Sequence, residues 1–211
     1  MPKLLQLERR AYEFEVRAEE NERGHIITGR PIVYGSRTNI GAFDEIIEVG
    51  ALDTANLNDV RFLVNHNTDM IPLARSRRNN ERSTMHFTPD SEGLLLDWVD
   101  LDVENNADAR ALYSAVQRGD ISGMSFLFSV DSQEWDNLES EHPLRRILSI
   151  SSVIELSAVT FPAYGATEIN ARGAKDALES AQLVLESARA ARAAAVETGE
   201  LELLKAKTLI Y

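Results

Sequence analysis

With no cysteine and four histidines, nucleophilic chemistry in this 211-residue chain falls to a serine hydroxyl activated by an imidazole. The candidate serine lies in Gly119-Asp-Ile-Ser-Gly-Met-Ser-Phe-Leu-Phe-Ser-Val130. Read as a strand, Met124, Phe126, Phe128 and Val130 point toward a core, while Ser125 points the other way beside Gly123 and Leu127. Ser122 then falls on the core face, where a hydroxyl meets no substrate. Parity therefore selects Ser125, and Gly123 allows another backbone to approach closely. The ordinary reading is a strand serine without chemistry. The segment is not the Gly-x-Ser-x-Gly elbow of the α/β hydrolases.

His66 is the best placed of the four imidazoles. It closes the apolar run Val60-Arg-Phe-Leu-Val-Asn-His66, with Val60, Phe62, Val64 and His66 expected on one face. The end of a rigid strand opening into a loop suits a positioned base, although a structural histidine capping a strand fits the same pattern. His25 follows a turn glycine, His86 alternates with Met85 and Phe87 on an outer face, and His142 sits in a polar stretch. The third candidate is Glu155, in a strand that is apolar on both faces, Ser151-Ser-Val-Ile-Glu-Leu-Ser-Ala-Val-Thr-Phe161. A carboxylate there needs a partner. An imidazolium and an arginine both meet that need. Arg75, Arg77 and Arg78 form a basic cluster suited to surface acids or to an oxyanion. There is no His-Glu-x-x-His and no phosphate-binding glycine loop, so no metal or cofactor is expected.

These residues must be carried by a β-rich body. Residues 12–34 read as strands turning at Gly24, and Met85–Trp98 reads as a hairpin around Pro89–Gly93. Ala109, Leu112, Tyr113 and Val116 have helical spacing, with Asn105 or Asn106 as N-cap and Gly119 just past the end. Strands over Ile121–Val130 and Ile147–Phe161 follow, separated by a polar loop over Asp131–Arg146. After about Ala171, 11 of the last 41 residues are alanine and none is proline, which predicts helix. Leu178, Ala181, Leu185 and Ala188 give it a narrow apolar stripe, and Gly199 sets off a short tail. The expected boundary is near residue 170: a main domain over 1–170 and a docking or detachable helical arm over 171–211.

The apolar fraction of 44% and charged fraction of 27% are those of a soluble globular protein. No stretch has the length and apolarity of a membrane span, and Met1–Val16 lacks the apolar run of a signal peptide. The net charge of −12 lies wholly in residues 1–170, since the last 41 residues carry six basic and six acidic side chains. Such a field repels phosphates, so neither nucleic acid nor membrane is an expected partner.

The order of segments resembles the prohead (capsid maturation) serine proteases of tailed phages, which are distantly similar to the herpesvirus assembly proteases. The matching pieces are Gly29-Arg-Pro-Ile-Val-Tyr34, Phe43-Asp-Glu-Ile-Ile-Glu-Val-Gly-Ala-Leu52, Phe62-Leu-Val-Asn-His-Asn67 and Gly93-Leu-Leu-Leu96. Ile121-Ser-Gly-Met-Ser-Phe-Leu-Phe128 and Glu155-Leu-Ser-Ala-Val-Thr-Phe-Pro-Ala-Tyr164 complete the set, covering residues 25–170. The resemblance implies catalytic His66 and Ser125, with Glu155 at the acidic position. Leu127 stands where glycine is usual. It further implies an α+β fold: a compact, largely antiparallel β-barrel with flanking helices, here with the C-terminal helical arm. The implied activity is a serine endopeptidase acting in the bacterial host cytoplasm, inside the assembling procapsid. Its implied partner is the major capsid protein with its scaffold segment, and it cleaves itself. A homodimer is one outcome of the herpesvirus relationship. The rival reading is a non-catalytic capsid-assembly (scaffold) protein.

Overall fold

The computed structural model describes residues 7–12, 16–160 and 172–208. Eleven strands, two α-helices and a short 3-10 helix (Arg77–Asn79) follow one another in these residues. They are β1 (Leu7–Tyr12), β2 (Val16–Asn21), β3 (Gly24–Val33), β4 (Thr38–Asn39), β5 (Asp44–Ile47), β6 (Arg61–Val64) and β7 (Ala74–Arg75). Then come β8 (Met85–Asp90), β9 (Gly93–Leu101), α1 (Ala107–Gln117), β10 (Gly123–Asp136), β11 (Leu144–Val159) and α2 (Arg172–Thr208). The fold is α+β, as expected. The barrel is not seen as a closed one. Instead there are two sheets, and among the described residues no strand pairing joins them.

The four-stranded sheet runs β2-β3-β9-β8, antiparallel throughout. The seven-stranded sheet runs β1-β10-β11-β5-β4, with β6 and β7 joining through β11. β11 is 16 residues long, so one of its edges takes two parallel partners in succession, β5 near its start and β6 near its end. Ile27 and Ile32 of β3, Leu94 and Leu96 of β9, and Met124, Phe126 and Phe128 of β10 meet in one core with Leu112 and Val116 of α1. The β8–β9 hairpin turns where expected. At Gly93, φ is +143° and an added Cβ would lie 2.0 Å from the Ile32 carbonyl oxygen, so only glycine fits. Asn106 caps α1 by accepting from the backbone N–H groups of Asp108 and Ala109, and Gly119 follows its end with φ +76°.

Three expectations need correction. The polar stretch 131–146 is largely a ribbon rather than a loop, because β10 and β11 stay paired out to Asp136 and Leu144, with Asp131, Ser132, Gln133 and Glu134 exposed and Arg145 buried. Ser122 does not face the core. It is exposed and precedes β10, so strand parity does not apply to it. Gly199 does not interrupt α2, which runs through it as one helix. Leu7–Tyr12, to which the sequence assigned no element, is a strand. The domain boundary near residue 170 lies outside the described residues. α2 does dock, burying Ala181 and Leu185 against Phe43 and Leu138.

The charges of β1 are absorbed by a buried quartet. Glu8, Arg10, Glu45 and Arg145 are each at most 3% exposed. Arg10 donates from Nε and Nη2 to the two oxygens of Glu45 at 2.6 and 2.8 Å, and from Nη2 to Glu8 at 2.7 Å. Arg145 donates to Glu45 at 2.9 Å and to Glu8 at 2.8 Å. Two cations and two anions cancel, and the guanidinium groups lie over the rings of Phe43, Phe128 and Trp135. Burial alone would raise the Glu8 carboxyl, but hydrogen bonds from Arg145 and Arg10 and the charge of both hold it below its ordinary value. Removing one member strands the others, so Arg145→Ala is expected to cost about 3–5 kcal/mol in denaturant unfolding. The lowered Glu8 carboxyl contributes stability that is present above the ordinary carboxylate value of 4.5 and lost as pH falls through its folded value. Denaturation midpoints should therefore fall on acidification below that point, and less steeply in Glu8→Gln.

Candidate active site

Ser125, Glu155 and His66 come from three neighbouring strands. β10 and β11 pair antiparallel with Ser125 opposite Ser157 and Leu127 opposite Glu155. That register puts the serine and the carboxylate on one face, one diagonal step apart. β6 lies on the other side of β11, parallel, with Leu63 beside Ser157 and Val64 beside Ala158. His66 follows two residues later.

The route by which His66 reaches the other two was not legible from its run. The strand stops at Val64, and Asn65 and His66 both take left-handed backbone, φ +51° and +55°. His66 therefore does not share a strand face with Val60, Phe62 and Val64, as alternation had suggested. Asparagine tolerates this conformation best among the non-glycine residues. Asn65 also ties the turn to the end of β11: its amide donates to Thr160 Oγ1 at 3.0 Å and accepts from the Thr160 N–H at 2.9 Å. The Asn65 N–H bonds the Ala158 carbonyl at 2.9 Å. The double left-handed turn carries the ring back over β11 and β10.

There the imidazole is held at both nitrogens. Nδ1 is in short contact with Glu155 Oε1, and Nε2 lies 2.5 Å from Ser125 Oγ. A carboxylate at Nδ1 fixes the proton on that nitrogen, leaving Nε2 free to accept from the serine hydroxyl. Ser157, which the sequence reading gave no role, completes the assembly. Its hydroxyl donates to Glu155 Oε2 at 2.5 Å and accepts from the His66 backbone N–H at 3.2 Å. Both carboxylate oxygens are thus engaged, as a 2% exposed Glu155 requires. The visible signal was a second polar residue two positions along the same face of the same apolar strand.

Other candidates lie elsewhere. Arg75 is bound through two hydrogen bonds of 2.6 Å to Asp59 and stands on β7, three strands from β10. Arg77 donates to the Arg82 carbonyl. His86 pairs with Asp97 at 2.7 Å and His142 with Asp44 at 2.8 Å, while His25 packs edge-on against Tyr113. Among the described residues no three histidine, aspartate or glutamate side chains gather as metal ligands. A cleft of about 450 Å³ opens beside the His66 turn, between Asn65, Asn67 and Met70 on one side and Leu112 of α1 on the other. Leu127, half-buried, stands between Arg9 of β1 and Glu155, just before a bulge in the β10–β11 pairing.

A hydroxyl, an imidazole and a carboxylate in hydrogen-bonded sequence can carry out acyl transfer. A model of the caudovirus prohead serine protease family matches residues 12–180, a span that contains all three. The chain belongs to this family. No curated protein and no solved structure matches it. Family membership implies a serine protease of the prohead, with a part in capsid maturation and in company with procapsid components. No helix among the described residues is long and apolar enough to cross a membrane.

The Asn65 clamp yields a prediction independent of activity. Asn65→Ala keeps the strained backbone and loses the paired amide bonds to Thr160, so unfolding should be easier by roughly 1–3 kcal/mol. An unchanged denaturation midpoint would contradict the clamp.

Proposed function

We propose that this protein is a serine endopeptidase in which Ser125 attacks, His66 moves the proton and Glu155 orients and charge-balances the imidazole. The observation that carries this is the unbroken line of hydrogen bonds from Ser157 through Glu155 and His66 to Ser125. Ser125 Oγ adds to a substrate carbonyl carbon as its proton passes to His66 Nε2. The imidazolium, balanced by Glu155, returns that proton to the amide nitrogen as the C–N bond breaks. Water, deprotonated by the same imidazole, then hydrolyses the ester. Ser157 is a positioning residue in this scheme, acting through Glu155.

The substrates are the scaffold segment of the major capsid protein, inside the assembling procapsid in the bacterial host, and the protease itself. Self-cleavage is placed within residues 165–200, where composition changes between the β-rich body and the helix that docks on Phe43. Under this reading 1–170 is the protease and 171–211 an arm that is removed. A binding-only assembly protein is the rival, and the full burial of Ser125 is the observation in its favour.

Co-expression with the neighbouring capsid protein separates the two. The wild-type chain should shorten the capsid protein, and Ser125→Ala should leave it full length, with the rate lowered by about a millionfold as for loss of a triad serine in subtilisin. A capsid protein left intact by the wild type would favour the rival. Ser157→Ala should slow processing by about 10–100-fold, the worth of one hydrogen bond to a charged group. In the same cells, intact mass should show the wild-type chain cut within 165–200 and Ser125→Ala uncut.

A further inference from the structure

Ser125 is 0% exposed, so no substrate reaches it in this arrangement. β1 lies against it on the side away from β11, and the His66 ring contacts the same hydroxyl. Among the described residues, this six-residue strand pairs with β10 alone and forms the edge of its sheet, in a register that sets Ala11 opposite Ser125. Removing it breaks one ladder. The span shared with the protease family begins at residue 12, so all of β1 but its last residue lies ahead of the common domain.

β1 also engages the reacting atom. Ser125 Oγ lies 2.8 Å from the Arg10 carbonyl oxygen as well as 2.5 Å from His66 Nε2. A hydroxyl has one proton, and here two acceptors compete for it. A peptide carbonyl of an extended strand thus sits at the nucleophile, accepting its proton rather than presenting its carbon. On the opposite face, β1 sends an acidic and a basic side chain, two residues apart, into a polar cradle. Glu8 and Arg10 meet Arg145 and Glu45, which stay bonded to each other at 2.9 Å.

We propose that the edge of β10 under β1 is the substrate groove, that it takes an extended peptide with an acidic residue two positions before a basic one, and that β1 fills it in the folded chain. Main-chain pairing to β10 supplies binding, while Arg145 and Glu45 read the two charges. The basic residue of such a peptide brings its carbonyl to Ser125. The proposal rests on the protease reading for its substrate, but the groove can be tested without catalysis.

The experiment uses the full chain carrying Ser125→Ala and a fluorescent peptide of residues 7–12, followed by anisotropy. Arg10→Ala leaves one cation against two anions in the quartet and loosens β1, so it should tighten peptide binding at least tenfold. Glu8→Ala should act in the same direction, which guards against one variant failing to fold. A control peptide with the acidic and last basic residues exchanged should bind at least tenfold more weakly. Equal binding with and without these substitutions, or equal binding of the two peptides, overturns the proposal. Capsid processing by a chain that binds no peptide would overturn the groove and leave the protease reading standing. Selective peptide binding by the Ser125→Ala chain, with no capsid processing by the wild type, would support the groove and remove the protease reading.

Discussion

The pairing of β10 with β11 decides what this fold can do, because a strand's two faces are exchanged by a shift of a single residue. With Ser125 opposite Ser157, the serine, Glu155 and the Ser157 hydroxyl share one face, and Met124, Phe126 and Phe128 fill the core on the other. A slip by one would bury Ser125 among phenylalanines. The core thus enforces the site: Phe126 and Phe128 are fully buried and hold the register that the hydroxyl needs. β6, parallel along the far edge of β11, then needs only its left-handed exit at Asn65 and His66 to bring the imidazole across.

A second constraint joins the two ends of the chain to this site. Phe43 is covered on one side by Ala181 and Leu185 of α2 and faces the guanidinium groups of Arg10 and Arg145. The quartet in turn holds β1, whose Arg10 carbonyl accepts from Ser125. β1, α2 and Ser125 are therefore joined through one continuous set of contacts. In a buried quartet each charge is satisfied only by the others, so the strand is bound as a whole or released as a whole.

Much of the site was legible because its members break local pattern. Ser125 follows from the parity of Met124, Phe126 and Phe128, and Glu155 from a carboxylate in a strand apolar on both sides. His66 was visible only as the end of an apolar run, since a left-handed backbone at Asn65 leaves no periodicity to read. The same parity rule misplaced Ser122 by extending a strand past its start. β1 escaped because three consecutive charges, Glu8, Arg9 and Arg10, look like solvent exposure until the partners Glu45 and Arg145 are found 35 and 135 residues away from Arg10. The ribbon over 131–146 escaped for the opposite reason: most of its β10 side chains are in solvent, and pairing between polar strands carries no hydrophobic signature. Family resemblance supplied the function that spacing alone left open.

The central claim is that Ser125 is made nucleophilic by His66. Its most direct test is to incubate the full chain carrying Arg10→Ala, in which β1 no longer holds Ser125 covered, with a serine-directed fluorophosphonate and locate the added mass by fragmentation. A single adduct is expected, on Ser125, and it should disappear when His66→Ala is added. An adduct on Ser122, or labelling of Ser125 undiminished in His66→Ala, would contradict it.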